Sequence, residues 1–227
     1  MLRCAIVAVV FVSVAPRGAR ADDTEVGRFY TGAGVGAAVF AGPTVLGDRS
    51  WQDRVGWAVG AYARLSTVMQ IVDLQLEYHH DRLDTRADDA PVTVRRHSVS
   101  QSTNLHPLFL RMLGNNRLWY ILGSWYLQVG LSLELTALES PLLGIDRDDK
   151  ALGIHVGTGL DFPLDDPNDG GAFWLGVLWR YAFIGMNPRI GAHEDLDTHF
   201  VLLAVSYRSN DLSFGRVPRP PELPFRQ

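Results

Sequence analysis

The chain has 227 residues with a formal net charge of −4, 47% hydrophobic and 20% charged residues, and a single cysteine. That length suits one large domain or two small ones, and a hydrophobic share near the globular average argues against an intrinsically disordered chain. The acidic balance offers no electrostatic footprint for nucleic acid, and no apolar run reaches the roughly 20 residues that a membrane-spanning helix needs.

In chain order, Met1-Leu2-Arg3 precedes an apolar run over residues 4–15, and Ala19-Arg20-Ala21 follows it. A positive start, a short apolar core and an A-x-A site make residues 1–21 a secretory signal peptide, since the run is too short for an anchor helix. Cleavage after Ala21 leaves 206 residues at a net charge of −7 and removes Cys4. The exported chain then has no disulfide, no cysteine metal site and no thiol nucleophile.

Beyond the leader the dominant period is two. Residues 28–40 place Phe29, Val35 and Val39 opposite Gly32, Gly34 and Gly36. Residues 57–65 alternate Trp57, Val59, Ala61, Ala63 and Leu65 with Gly60, Tyr62 and Arg64, and Val72, Leu74, Leu76 and Tyr78 then oppose Asp73, Gln75, Glu77 and His79. Residues 98–112 are the least regular, with Pro107 implying a bulge. The longest alternation, 118–136, sets Trp119, Ile121, Trp125, Leu127, Val129, Leu131, Leu133 and Leu135 against Tyr120, Ser124, Tyr126, Gln128, Ser132 and Glu134.

Leu152 to Phe162 oppose His155, Gly157, Gly159 and Asp161; Phe173 to Phe183 oppose Gly176 and Arg180; Val201, Leu203, Val205 and Tyr207 oppose Ala204, Ser206 and Arg208. These segments make eight strands, each long enough to cross a bilayer at a tilt, which takes about 9 to 11 residues. A strand of a soluble sandwich also alternates, and strand length separates the two readings. Glycine and β-branched or aromatic residues interrupt every candidate amphipathic helix. Long polar connections (41–56, 80–97, 139–150, 184–197) alternate with short ones (66–69, 113–117, 163–171), which places the two sets at opposite ends of a barrel.

The even strand count, the signal peptide and aromatic residues toward strand ends (Trp57, Tyr78, Trp119, Phe162, Phe173, Tyr181, Phe183, Tyr207) resemble the small eight-stranded outer-membrane β-barrels of Gram-negative bacteria over about residues 26–208. The resemblance implies an all-β fold, an eight-stranded antiparallel up-and-down transmembrane β-barrel spanning residues 22–208 in the cell outer membrane. It makes those aromatics interfacial girdles, and outer-membrane lipid, lipopolysaccharide and the barrel assembly machinery the partners. In that family the last strand ends the chain in an aromatic residue. Here residues 200–207 look like that strand, but a tail over 209–227 follows, with Pro218, Pro220, Pro221 and Pro224, and reads as an extended periplasmic segment.

Continuous alternation points Arg64, Asp73, Glu77, His79, Arg111, Glu134, His155, Asp161, Arg180 and Arg208 inward. An eight-stranded barrel is filled by its side chains, so these residues read as a network of ion pairs and hydrogen bonds. The expected role is structural or surface interaction, or a narrow gated pore if the network rearranges. Two alternatives stay open: a soluble secreted β-barrel with an apolar ligand inside, and a lipid A-modifying barrel enzyme. For the enzyme, no motif supplies a serine beside a histidine, so no catalytic residue is assigned. His79-His80-Asp81 and His193-Glu194-Asp195 match no metal motif, and the expectation is a monomer with no metal or cofactor and no nucleic-acid partner.

Overall fold

The computed structural model describes residues 33–47, 51–66, 71–87, 89–108, 117–165, 171–184 and 196–212. Its strands are β1 (Ala33–Leu46), β2 (Val55–Ser66), β3 (Val72–Ala87), β4 (Ala90–Leu105), β5 (Tyr126–Ser140), β6 (Ile145–Pro163), β7 (Gly171–Ile184) and β8 (Thr198–Leu212). Each pairs antiparallel with its sequence neighbours and β1 closes on β8, so every strand edge is used. Following paired residues from Gly36 through Arg64, Gln75, Ser102, Gly130, His155, Ala182 and Thr198 returns to β1 at Leu46, ten residues further along. Eight strands with that stagger tilt by roughly 40° and enclose a backbone radius on the order of 8 Å, a bore that side chains fill.

The period-two pattern becomes two faces. Val59, Leu76, Val99, Leu131, Ile154, Val177 and Leu203 are exposed on the outer wall, while Arg64, Gln75, Glu77, Ser100, Glu134, Asp161 and Arg180 are buried inside. The apolar wall has two ends. Strand termini Ala33 and Leu212 share one, here the terminal end, with the β2–β3, β4–β5 and β6–β7 connections; the other connections sit at the far end.

Several boundaries differ from the sequence expectation. Residues 80–97 are not a loop: β3 and β4 continue through them, pairing as far as Ala87↔Ala90, and Asp89 turns the chain at φ 62°. Likewise β6 begins at Ile145, inside the expected 139–150 connection, and Gly144 at φ 65° makes the turn there. Along β3 the buried positions run Asp73, Gln75, Glu77, His79, Asp81 and then Leu83; along β4 they run from Asn104 through Ser98 and Arg96 to Val94 and Val92. Past the apolar wall the polarity therefore inverts. Outside stand Arg82, Asp84, Arg86 and Arg95, while Leu46, Trp51, Leu83, Val92, Val94, Leu138, Ile184 and Leu196 form an apolar cluster inside. A charged face turned outward over an apolar face turned inward is the pattern of a sheet that meets water on one side.

A second correction concerns residues 118–136. Their first part is a short helix, α1 (Arg117–Gly123), and β5 starts only at Tyr126. The run Leu118-Trp119-Tyr120-Ile121-Leu122 is continuously apolar, and such a run fits helix and strand equally by period. The helix ends at Gly123, and Ser124 ties it to β6 by accepting a hydrogen bond from the Asp161 backbone N–H at 3.1 Å. The connection at the terminal end between β4 and β5 is consequently long. Pro107 lies beyond β4, which stops at Leu105, so no bulge is needed there.

At the closing seam the β1–β8 ladder pairs Ala41 with Leu203 and resumes at Thr44 with Phe200, passing over Gly42 and Pro43 without a change of register. Pro43 has no N–H to give. β8 runs to Leu212, past the expected end at 208. The expected signal peptide, residues 28–32 of the first strand and residues 213–227 of the tail lie outside the described residues.

Candidate functional site

Inward positions on seven strands, β2 to β8, converge on one hydrogen-bonded network in the bore. Asp161 on β6 takes Arg64 of β2 at 3.2 Å and Arg208 of β8. Arg64 also reaches Asp73 at 3.6 Å and donates to Gln75 Oε1 at 3.2 Å, and Asp73 contacts His106 Nε2 at 3.0 Å. Gln75 receives Asn104, which accepts from Gln128, which accepts from Arg180 Nε at 3.0 Å. Arg180 then grips Glu77 with two parallel bonds of 2.6 and 2.7 Å, and His79 Nδ1 lies 3.2 Å from Glu77. A fork-to-fork guanidinium–carboxylate pair is the strongest of these links.

Nine of the ten residues expected inside are buried there; Arg111 lies outside the described residues. Glu134 and His155 are inside but joined differently. Glu134 accepts from Ser98 at 2.8 Å, and among the described residues it makes no ion pair and its second oxygen has no hydrogen-bond partner. His155 Nε2 meets Ser102 Oγ at 2.8 Å. This serine–histidine pair is buried in the packed bore, and neither residue lines the interior cavity. That cavity is about 10 Å³, bordered by Phe40, Tyr62, Glu77, Tyr126 and Asp161, and has room for about one water.

Sequence reading missed Asp81 and Arg96, a fully buried pair with bonds of 2.9 and 2.6 Å, whose arginine also donates to Thr198 Oγ1 at 3.0 Å and to the Leu196 carbonyl at 3.2 Å. The signal was present, since Asp81 continues the spacing of Glu77 and His79 and Arg96 that of Ser98, but it stops one step later where Leu83, Val94 and Val92 turn the apolar face inward. Asn104 and His106 were also missed, and Gln75 and Gln128, though placed on the polar face, were not recognised as links between the charges.

Of the expected girdle, Trp57, Tyr78, Phe173, Phe183 and Tyr207 are exposed on the wall and Phe162 and Tyr181 half-buried. Phe173 and Tyr207 meet edge-to-face at 5.1 Å toward the terminal end, and Tyr181 and Phe183 at 4.6 Å toward the far end. Trp119 falls in α1 and is not on a strand.

The outer face of the extension carries paired charges: Arg82 with Asp84 at 3.1 Å and Arg95 with Glu139 at 3.1 Å. Slight burial pushes the Asp84 carboxyl up, but hydrogen bonds from Arg82 and Thr93 and the charges of Arg82 and Arg95 outweigh it and hold the group below its ordinary value. No cluster of three or more histidine and acidic side chains arranged to hold a metal occurs among the described residues.

The profile of the outer membrane protein beta-barrel domain matches residues 4–208. The chain belongs to that family. This outer-membrane barrel has an apolar wall that faces the lipid and lipopolysaccharide environment of the Gram-negative outer membrane. Among solved structures it is similar to Neisserial surface protein A, at 14% identity and a TM-score of 0.43, covering 79% of this chain and 97% of that one. It is also similar to the attachment invasion locus protein of Yersinia pestis, at 12% identity and a TM-score of 0.49, covering 78% and 99%. The N-terminal β-barrel domain of Pseudomonas aeruginosa OprF matches at 9% identity and a TM-score of 0.39, covering 78% and 98%. No curated protein sequence matches.

Proposed function

We propose that this barrel is a membrane anchor with a closed bore, which holds the extension of β3 to β6 outside the cell for structural or surface-interaction work. The observation that carries this reading is the contents of the bore: an ion-paired network over most of its length, an apolar cluster above it, and a cavity with space for about one water. Such a filling resists ion flow and stiffens the strands. With the termini in the periplasm, the polar-faced extension stands outside.

Two measurements test it. In intact cells, Asp148→Cys is expected to react with a membrane-impermeant maleimide, while Asp165→Cys at the terminal end stays unlabelled; the reverse pattern inverts the topology. In planar bilayers the refolded wild type is expected to show no steady conductance. A steady open channel in the wild type replaces the anchor with a pore, in which Arg180 and Glu77 are the pair that must part. The leader over residues 1–21, delivery through the assembly machinery by strand β8 and a monomeric state belong to the same proposal.

A further inference from the structure

On the outer wall, where the apolar band ends and the extension begins, two histidines face each other across β3 and β4: His80 pairs directly with His97. Their rings lie 4.5 Å apart, centre to centre, at an interplanar angle of 31°. Each ring is held through Nδ1. His80 Nδ1 lies 3.1 Å from the Arg96 carbonyl, and His97 Nδ1 lies 2.8 Å from the Tyr78 hydroxyl. A carbonyl can only accept, so His80 carries its proton on Nδ1 and keeps the lone pair on Nε2. For His97, the tyrosine hydroxyl can accept as well as donate, which allows the same tautomer. Neither Nε2 has a hydrogen-bond partner among the described residues. This arrangement is what a metal-ligating histidine requires, one nitrogen fixed by an oxygen and the other open.

The geometry points to a two-histidine site for a late first-row divalent ion, Zn²⁺, Ni²⁺ or Cu²⁺, bound through His80 Nε2 and His97 Nε2 with water completing its shell. Two nitrogens each about 2.1 Å from one ion stand about 3.0 to 3.4 Å apart at octahedral or tetrahedral angles, a separation that rings this close permit. The strand pairing fixes both backbones, so binding needs no rearrangement of the chain. Nearby cations do not oppose the ion strongly: Arg82 is held by Asp84, and Arg95 by Glu139. The ordinary order of affinities places Cu²⁺ above Ni²⁺ and Zn²⁺.

The test uses the untagged, refolded full-length barrel in detergent micelles, titrated with Zn²⁺ and Cu²⁺. One ion per barrel is expected, with at least tenfold weaker binding for His80→Ala and for His97→Ala, and less than a twofold change for His199→Ala on the same wall. Variants are first shown to be folded by their heat-dependent mobility in SDS. On the wild type alone, substoichiometric Cu²⁺ is expected to broaden the imidazole Cε1–H resonances of His80 and His97 and to spare those of His106 and His155. No stoichiometric binding, binding unchanged by both substitutions, or broadening centred on other histidines overturns the site.

Discussion

The Arg180–Glu77 pair shows what a single residue does in this bore. Both side chains are buried, and each supplies the charge that makes the other tolerable there. Glu77→Ala is expected to leave Arg180 uncompensated and to cost about 3–5 kcal/mol, read as a lower urea midpoint in lipid vesicles by tryptophan fluorescence. The joint replacement Glu77→Gln with Arg180→Met is expected to cost less than either charge removal alone, because no unpaired charge remains. Gly157 limits the bore in another way. A Cβ there would lie 2.6 Å from the Trp179 carbonyl oxygen and 3.3 Å from the Arg180 Cα, both backbone atoms that cannot swing aside. Gly157→Val is expected to cost about 1–3 kcal/mol in the same assay, as overpacked sites do.

Among the elements, the membrane-crossing strands were legible and the strands beyond them were not. Leu127 to Leu135 on β5 announce a lipid-facing wall because a side chain at every second position meets the same solvent. The same rule concealed the outer halves of β3 and β4. Arg82, Asp84, Arg86 and Arg95 look like a loop when read for a continuous greasy face, yet they are the wet side of a sheet whose dry side holds Leu83, Val92 and Val94. α1 was hidden for a different reason: five consecutive apolar residues carry no period. In the bore, the charged positions could be read from alternation, but which arginine meets which carboxylate could not, since partners such as Arg180 and Glu77 come from strands that are not neighbours.

At the hairpin, the depressed Asp84 value gives a pH dependence of definite sign. Its folded-state value lies below the ordinary 3.8, so its contribution is complete above that value and fades as pH falls through the lower folded value. Hydrogen exchange of the tip amides, compared between wild type and Asp84→Asn, is expected to show the variant less protected at neutral pH and the difference vanishing in strong acid. Asp84 is largely exposed, so the effect should stay within the hairpin.

At the scale of the whole molecule, the wall decides whether the barrel survives in a bilayer. Leu131 stands on the lipid side in the middle of β5, and Leu131→Arg is expected to cost about 2–4 kcal/mol in vesicles, near the midplane value for barrels. Lys150→Arg on the extension is expected to leave the urea midpoint unchanged, since water and not lipid surrounds it. The intact fold should migrate differently in SDS before and after heating; identical migration would contradict a closed barrel.

The seam at Gly42 and Pro43 bears on how such a cylinder comes into being and how it comes apart. β1 and β8 are the most distant pair in the chain, so their zipping carries the largest loop-closure entropy and waits until every other hairpin has formed. Pro43 leaves that last junction one rung short. Pulled sideways, the cylinder should split along this line before any hairpin seam yields, and an incoming strand inserted during biogenesis would meet the least resistance there.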